Sequence, residues 1–399
     1  MSKYNKKRLF EMMHKVGKMP LMEIDRIEKF PDLKTPNFFN FSDKNLRDED
    51  VVKILNYFLE RKKLKSYKRG KLDKKYPYIH GSNIPIKLVD DDSDVESGEI
   101  DLDAFISLIT EEPKNLLVQN KKMLKTSYED IVTYNTGLPA FRGLVYDEDN
   151  KEFIIVNTCT GAGICLADCY AKKGAYVMFP APNLKPMRVL NYLLNHPEDF
   201  ERKAYKEVLS KLKKRGYDKK NIYIRWNDSG DFFVNEYFRI AMNITETLRN
   251  EGFHNLYSYA HTKNGDVYNQ GTDYFIMNFS TNANEIERGK VDLTTAKTSE
   301  YVEKDLFDDL FLKNTKNTQY VVDNNEKPIF KDQVNGPNEL KRRISKKFNA
   351  DIKSLLFINE LLITPPQEGI FWNAIVLPSG DGDNSAQRSD VRRTFLLHH

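Results

Sequence analysis

Two different patterns of apolar and polar residues divide the 399-residue chain. In the N-terminal part, apolar residues recur every three or four positions over 51–59 and, more briefly, over 9–16, which is typical of amphipathic helices. Polar and charged stretches separate these two segments. We therefore expect residues 1–130 to form a helical and irregular N-terminal region, and residues 131–399 to form an α/β domain.

The α/β interpretation depends on strand-like and helix-like segments that alternate after residue 140. Residues 141–157 predict a β-hairpin whose turn lies at 147–150. Further strands are predicted at 221–226, 256–260, 273–279 and 371–377, and helices at 187–195, 198–215, 233–250, 303–313 and 337–360. Strands separated by helices favour parallel βαβ units with right-handed crossovers. The expected architecture is an incomplete (β/α) barrel or an open parallel sheet with a helical N-terminal extension.

Composition indicates a globular protein that works inside a cell. The chain is 40% apolar and 30% charged, with a net charge of +4. It contains no run of about 18 apolar residues, and its basic N-terminus lacks the apolar core of a secretion signal. Because it has only three cysteines and no such signal, we expect a cytoplasmic protein that does not span a membrane.

Charge is distributed unevenly within the N-terminal region. Residues 61–75 hold nine basic side chains in fifteen positions, enough to neutralise phosphates of a nucleic acid or nucleotide. The alternative is a solvated helix end and linker. Residues 90–99 are acidic and predict a loop, and the short helix at 9–16 is a candidate docking element for a protein partner.

All three cysteines lie within eleven positions, as Cys159, Cys165 and Cys169. Thiolates are soft ligands, so this spacing favours a metal centre. Three of them suit a [4Fe–4S] cluster with one open iron. A zinc site would need a fourth ligand, from His261 or a carboxylate. A disulfide would leave one thiol over, and a purely structural role for the cysteines is the remaining alternative.

Other polar candidates follow the predicted strands directly. Active sites of α/β folds lie at the carboxyl ends of the strands, so loops there are expected to form one pocket. We expect Asp228 to act as an acid–base or cofactor-positioning group. In the alternative, Ser229 or Asp231 caps the helix that begins near Phe233. The candidate catalytic residues are Asp228, His261 and Thr262, and the candidate cofactor-binding residues are Tyr170, Ser229, Gly230, Asp231, Ser280 and Asn282.

The C-terminal segment GDGDNSAQRSDVRRTFLLHH is rich in aspartate, with Asp381, Asp383 and Asp390. It does not match a calcium-binding EF-hand, because the glycine and the final glutamate of that loop are missing. We interpret it as a surface tail.

Three motifs in a fixed order resemble the phage "gene product 88" protein family. They are CTGAGICLADCYAKKGAY, RWNDSGDFFVNEYF and LYSYAHTKN, within residues 140–290. The resemblance implies a phage protein, and hence the cytoplasm of an infected bacterium. It also implies a distant likeness to radical S-adenosylmethionine proteins, whose partial barrels carry three cluster cysteines after the first strand.

The cysteine spacing departs from that of the radical enzymes. Their pattern is Cys-x3-Cys-x2-Cys, whereas this chain has Cys-x5-Cys-x3-Cys, and it lacks a clear Gly-Gly-Glu-like segment. Two hypotheses follow from the sequence. The first is an iron–sulfur enzyme that resembles the radical S-adenosylmethionine type and acts on a nucleotide or nucleic acid. The second is a non-enzymatic, metal-stabilised binding protein or a virion-associated protein.

Overall fold

The fold is an open α/β sheet with helices, as seen in a computed structural model. The structure describes residues 106–107, 109–127, 130–140, 142–149, 152–163, 181–315, 319–324, 327–378 and 383–397. The predicted helices at 9–16 and 51–59, the basic and acidic stretches and Tyr170 all lie outside the described residues.

Among the residues that the structure describes there are ten strands, and eight of them form one sheet in the order β1-β4-β5-β6-β7-β10-β9-β8. The strands are β1 Ile131–Asn135, β2 Arg142–Asp147, β3 Glu152–Asn157, β4 Asn221–Trp226, β5 Leu256–Thr262, β6 Phe275–Ser280, β7 Thr298–Tyr301, β8 Leu355–Phe357, β9 Trp372–Val376 and β10 Val391–Leu396. From β5 to β8 every neighbouring pair runs parallel. The sheet ends at β1 and β8, so it is open, and the barrel alternative does not apply.

Helices connect most of these strands. They are α1 Lys121–Thr126, α2 Ala181–Asn195, α3 Pro197–Leu212, α4 Asn235–Asn250, α5 Gly265–Tyr268, α6 Glu285–Arg288, α7 Gly336–Phe348, α8 Ile358–Ile363 and α9 Asp383–Ala386. The longer ones are amphipathic; in α4, for example, the buried side chains recur at helical spacing from Tyr237 to Leu248. Within the described residues, no helix combines the length and the apolar character needed to cross a membrane.

The chain divides into two compact units. The first contains residues up to Val118, 135–218 and 226–254. The second contains 119–134, 219–225 and 255–399, and so holds most of the large sheet. In the first unit an aromatic cluster surrounds Tyr237, including Trp226 and Phe232.

Several predicted elements are confirmed, and others are wrong. The strand at 221–226 has the predicted bounds, and the helices predicted at 198–215 and 233–250 agree to within three residues, whereas the helix predicted at 187–195 begins earlier, at Ala181. The helix predicted at 303–313 is instead two short 3-10 turns, because Phe311 pairs in an extended bridge with Phe330. The helix predicted at 337–360 ends at Phe348, since Asn349 adopts a left-handed conformation (φ 48°). Strand β8 lies within that range; strands β1, β7, β8 and β10 were not predicted.

The predicted hairpin is present, but its two strands do not belong to the large sheet. Strands β2 and β3 pair antiparallel as a separate two-stranded sheet. Cys159 therefore follows a strand of the hairpin and not a strand of the large sheet. A hairpin strand and a strand of a parallel sheet give the same short apolar pattern in sequence.

The C-terminal segment is not a surface tail. Asp383, Asn384, Ser385 and Gln387 are all buried, and β10 runs in the interior of the sheet. The acidic, serine-containing composition was misleading because these side chains satisfy buried polar groups of the fold.

Candidate functional site

In the first unit, the loop after β4 presents Asp228 next to the end of β1. The Asp228 amide donates to the Thr136 carbonyl (2.8 Å), and its carboxylate Oδ2 accepts from Asn135 Nδ2 (3.0 Å). Asp228 is partly exposed, whereas Asn135 is buried. The other amide atom of that side chain, Asn135 Oδ1, is buried without a hydrogen-bond partner among the described residues. A buried polar atom without a partner beside a carboxylate indicates a place where a polar group can bind.

Segment 136–140 packs against both the Asp228 loop and the loop that begins at Thr158. Leu138 exchanges two hydrogen bonds with Ser229: its amide donates to the Ser229 carbonyl (2.9 Å), and Ser229 Oγ donates to its carbonyl (2.6 Å). The Thr158 hydroxyl donates to the Pro139 carbonyl. Cys159 comes next and is partly exposed, with its amide donating to Asn157 Oδ1 (2.9 Å). The loops with Cys159 and Asp228 are thus fixed to the same five residues.

The turn after β4 is held in an unusual backbone conformation. Asn227 has a left-handed φ of 62°, and its Oδ1 accepts from the buried Tyr237 hydroxyl (2.9 Å). Gly230 has a φ of 76°. Helix α4 begins only at Asn235, and its N-cap residue, Val234, makes no side-chain capping hydrogen bond. Asp231 Oδ1 instead accepts a hydrogen bond from the Phe232 amide (2.7 Å), outside the helix. The polar residues of this turn therefore shape the loop, and neither Ser229 nor Asp231 caps the helix.

We expect Gly230→Ala to destabilise the protein by about 1–3 kcal/mol, because both backbone and space oppose a side chain. A Cβ built on Gly230 would lie 2.8 Å from Leu138 Cβ and 3.1 Å from the Pro139 carbonyl oxygen. Urea denaturation would measure the loss. Gly216→Ala is the matched control, since Gly216 has a similar φ of 79° but nothing within 4 Å. Equal losses in the two variants would mean that close packing at Gly230 is unimportant.

In the second unit, one face of the parallel sheet carries an unusual row of polar side chains. Register partners in parallel strands present their side chains on the same face, and His261 pairs with Asn278 while Ser280 pairs with Ser299. Strands of parallel sheets are normally apolar on both faces. Segment 383–391 supplies partners for this row: Asn278 Nδ2 donates to the Ala386 carbonyl (3.3 Å), and Gln387 Nε2 donates to the Thr133 hydroxyl (2.8 Å).

Asp383 is the centre of a buried ionic cluster on this face. Its Oδ2 accepts from Arg225 Nη1 (2.6 Å) and lies 3.1 Å from Lys122 Nζ. His261 Nε2 lies 3.7 Å from Oδ1 of the same carboxylate. His261 Nδ1 in turn lies 2.9 Å from Ser299 Oγ. The side chains of Asp383 and Arg225 are 1% and 7% exposed, so the pair is shielded from water.

The cluster shifts two pKa values downwards. Burial alone would raise the pKa of Asp383, but the charges of Arg225 and Lys122 hold it well below its usual range. Burial lowers the pKa of His261, and Arg225 and Lys122 act in the same direction against the opposing effect of Asp383. Burial and the two cations therefore favour the neutral imidazole of His261.

The remaining predicted site residues have varied surroundings. Thr262 is fully buried, and its hydroxyl accepts from the Asn264 amide (3.0 Å), which shapes the turn after β5. Ser280 is buried at the end of β6, and Asn282 is partly buried in the loop that follows. Cys165 and Cys169 lie outside the described residues. Within the part of the chain that the structure describes, no three His, Cys, Asp or Glu side chains are grouped as a metal site.

Sequence reasoning missed three residues that shape these arrangements, namely Asn135, Ser299 and Asp383. Asn135 could have been found from the sequence, because it ends IVTYN, a short run of β-branched and aromatic residues that is typical of a strand. Ser299 had none, being one of several hydroxyl residues in TTAKTSEY. Asp383 was noted only as part of an incomplete calcium-loop pattern, because its partner Arg225 is 158 positions away in the chain.

Comparison with known protein families gives a match to this chain. The family model of gene product 88 matches residues 114–335, more than half of the chain. The chain belongs to the gene product 88 family. The match includes the loops of Cys159 and Asp228 and the sheet residues His261 and Ser299, whereas Asp383 lies beyond it. Comparison of this gene product 88 protein with curated proteins and with solved structures found no match.

Proposed function

We propose that this chain is a phage-encoded iron–sulfur enzyme that acts on a nucleotide or nucleic acid. Cys159, Cys165 and Cys169 would hold the cluster, and Asp228 would serve as the acid–base or cofactor-positioning group. The observation that carries the proposal is the packing of the Cys159 loop and the Asp228 loop against segment 136–140. Two loops with different chemical groups are thereby held to one short piece of chain.

The donor chemistry fits a thiophilic metal. Three thiolates within eleven positions suit a cluster with one open iron, and Cys159 is partly exposed, as a ligand at the mouth of a site would be. When bound, such a cluster would supply electron transfer and a coordination position for a substrate. The Asn135–Asp228 pair offers a carboxylate and a buried amide oxygen to a polar group of that substrate.

Zinc completed by His261 is less well supported than an iron–sulfur cluster. Zinc in a structural site needs four ligands, and a histidine can be one of them only if one of its ring nitrogens has an available lone pair. His261 has Ser299 Oγ 2.9 Å from Nδ1 and the Asp383 carboxylate 3.7 Å from Nε2. Nδ1 would have to give up its contact with Ser299 before it could bind a metal.

The metal is tested by anaerobic purification of the full chain, followed by measurement of iron, sulfide and zinc. We expect about four irons and four sulfides per chain, as in a [4Fe–4S] cluster. Replacing any one of the three cysteines with serine should lower the iron content sharply. Thr160→Ala, in the same loop but without a metal-binding side chain, is the control and should leave it unchanged. One zinc per chain would support the binding-protein hypothesis, and three metal-free thiols would contradict both.

A finer proposal makes S-adenosylmethionine the co-substrate, and its basis is the three clustered cysteines together with the distant likeness to radical enzymes that the family resemblance implies. Anaerobic incubation with a strong reductant and S-adenosylmethionine tests it, with the cleavage products as the readout. We expect Asp228→Asn to keep the iron content and to weaken cleavage, because a neutral amide attracts the positively charged S-adenosylmethionine less strongly than a carboxylate does. Iron-loaded protein that leaves S-adenosylmethionine intact would contradict this finer proposal alone.

A further inference from the structure

His261 lies between a hydroxyl and a carboxylate, and these two groups determine which ring nitrogen carries the proton. Ser299 Oγ lies 2.9 Å from Nδ1, which is hydrogen-bond distance. Asp383 Oδ1 lies 3.7 Å from Nε2, too far for a strong hydrogen bond but close enough for a strong electrostatic effect. A neutral imidazole carries one proton, so only two arrangements need comparison.

One of these arrangements is electrostatically unfavourable. If Nδ1 carried the proton, it would donate to Ser299, and the lone pair of Nε2 would face the Asp383 carboxylate. If Nε2 carries the proton, the N–H faces the carboxylate, and the Ser299 hydroxyl donates to Nδ1. In the second arrangement, a partially positive hydrogen faces a carboxylate at Nε2, and another faces a lone pair at Nδ1. The contacts therefore favour the Nε2–H tautomer.

The imidazolium form is disfavoured by the charges around the ring. The groups that face it are Ser299, the Asp383 carboxylate and the cations bound to that carboxylate, Arg225 (2.6 Å) and Lys122 (3.1 Å). Asp383 carries one negative charge against these two cations, so a third positive charge on His261 would add to a net positive cluster. The ring is thus held neutral as well as oriented.

We propose that Ser299, together with the Asp383 carboxylate, is a positioning residue that holds His261 as the neutral Nε2–H tautomer, so that His261 serves as a hydrogen-bond donor and not as a general base. The ring is partly exposed (21% of the side chain), and the 3.7 Å separation leaves the Nε2 proton available to an acceptor oxygen of a ligand. The use of that proton in a reaction rests on the proposed function, whereas the tautomer itself does not.

The order Ser299–His261–Asp383 also resembles the arrangement in serine hydrolases, but the burial of Ser299 argues against a nucleophile. Ser299 is 2% exposed, so its hydroxyl cannot meet the carbonyl of a substrate without a large rearrangement. Its hydroxyl is in the position to donate to Nδ1. A positioning role accounts for both the contact and the burial.

The test is a long-range ¹H–¹⁵N NMR spectrum of the full chain labelled with ¹⁵N-histidine, with His261 assigned by the signal lost in His261→Gln. We expect a protonated Nε2 and an unprotonated Nδ1 at pH 7. In Ser299→Ala, loss of the donor to Nδ1 should raise the pKa of His261 towards its ordinary value. Ser280→Ala, at the register partner of Ser299, is the matched control and should leave that pKa unchanged.

A protonated Nδ1 in the wild type, or an imidazolium at pH 7, would overturn the proposal without any variant being needed. So would a Ser299→Ala titration identical to that of Ser280→Ala. These results do not depend on the metal content of the sample. Failure of this proposal is therefore distinguishable from failure of the proposed iron–sulfur function.

Discussion

Asp383→Asn is expected to lower the free energy of unfolding by about 3–5 kcal/mol, because it leaves a buried guanidinium without its counter-charge. The Arg225 side chain is only 7% exposed, and its Nη1 lies 2.6 Å from Asp383 Oδ2. Lys122 shares the same oxygen at 3.1 Å. Denaturation in guanidinium chloride at pH 7 would measure the loss. The control is Asp266→Asn, since Asp266 is largely exposed in its pair with Lys290 and should contribute less than about 1 kcal/mol.

The pH dependence of the same variant provides a second check. The folded pKa of Asp383 lies below its unfolded value, so its contribution is fully present above the unfolded pKa of about 3.9 and is lost as the pH falls through the folded pKa. The stability difference between wild type and Asp383→Asn should thus be constant from pH 7 to about 5 and shrink at lower pH. The contribution of the cluster to stability would be refuted if Asp383→Asn lost no more free energy of unfolding than Asp266→Asn. It would also be refuted if the stability difference between wild type and Asp383→Asn grew as the pH falls.

The local sequence pattern was sufficient to predict elements in which apolar residues follow a regular strand or helix period. Strand β4 reads NIYIRW, with five of its six residues buried, and its bounds follow directly from the sequence. Strand β10 has the sequence VRRTFL, and it was not predicted because its two arginines interrupt the apolar pattern of a buried strand. Arg393 bonds to Glu300 (2.6 Å) and to the Phe348 carbonyl (2.8 Å), so its charge is satisfied inside the fold. Sequence alone cannot distinguish an arginine with such partners from a surface arginine.

The candidate site shows the same division between local and long-range information. Asp228 and its left-handed neighbour Gly230 were predictable, because a strand followed by Asp-Ser-Gly-Asp indicates a tight turn with a carboxylate. The Asp383 cluster was not, since its cations come from α1 and β4, far from Asp383 in the chain. Only the folded sheet brings these residues together. A buried polar network thus contributes no periodic signal of its own.

Lys297→Met is expected to destabilise the protein by about 2–4 kcal/mol, because one ammonium group satisfies three backbone carbonyls. Lys297 Nζ donates to the carbonyls of Ser385 (3.0 Å), Arg388 (2.8 Å) and Val391 (2.6 Å). These bonds hold the chain from α9 to the start of β10, and Asp383 is the first residue of α9. Methionine has a similar length but no donor, so all three acceptors lose this partner.

The consequence for Asp383 can be measured separately from global stability. Hydrogen exchange of residues 383–391 should become faster in Lys297→Met, since local opening of that segment becomes easier. Lys290→Met is the matched control: its ammonium binds only the side chains of Asp266 (2.7 Å) and Glu287 (2.9 Å) near the surface, so it should change stability by less than about 1 kcal/mol. If both variants lost the same stability, the three-carbonyl contact would not be what fixes the C-terminal segment to the sheet. A larger loss in Lys297→Met, with faster exchange confined to 383–391, would establish that this lysine holds Asp383 in place.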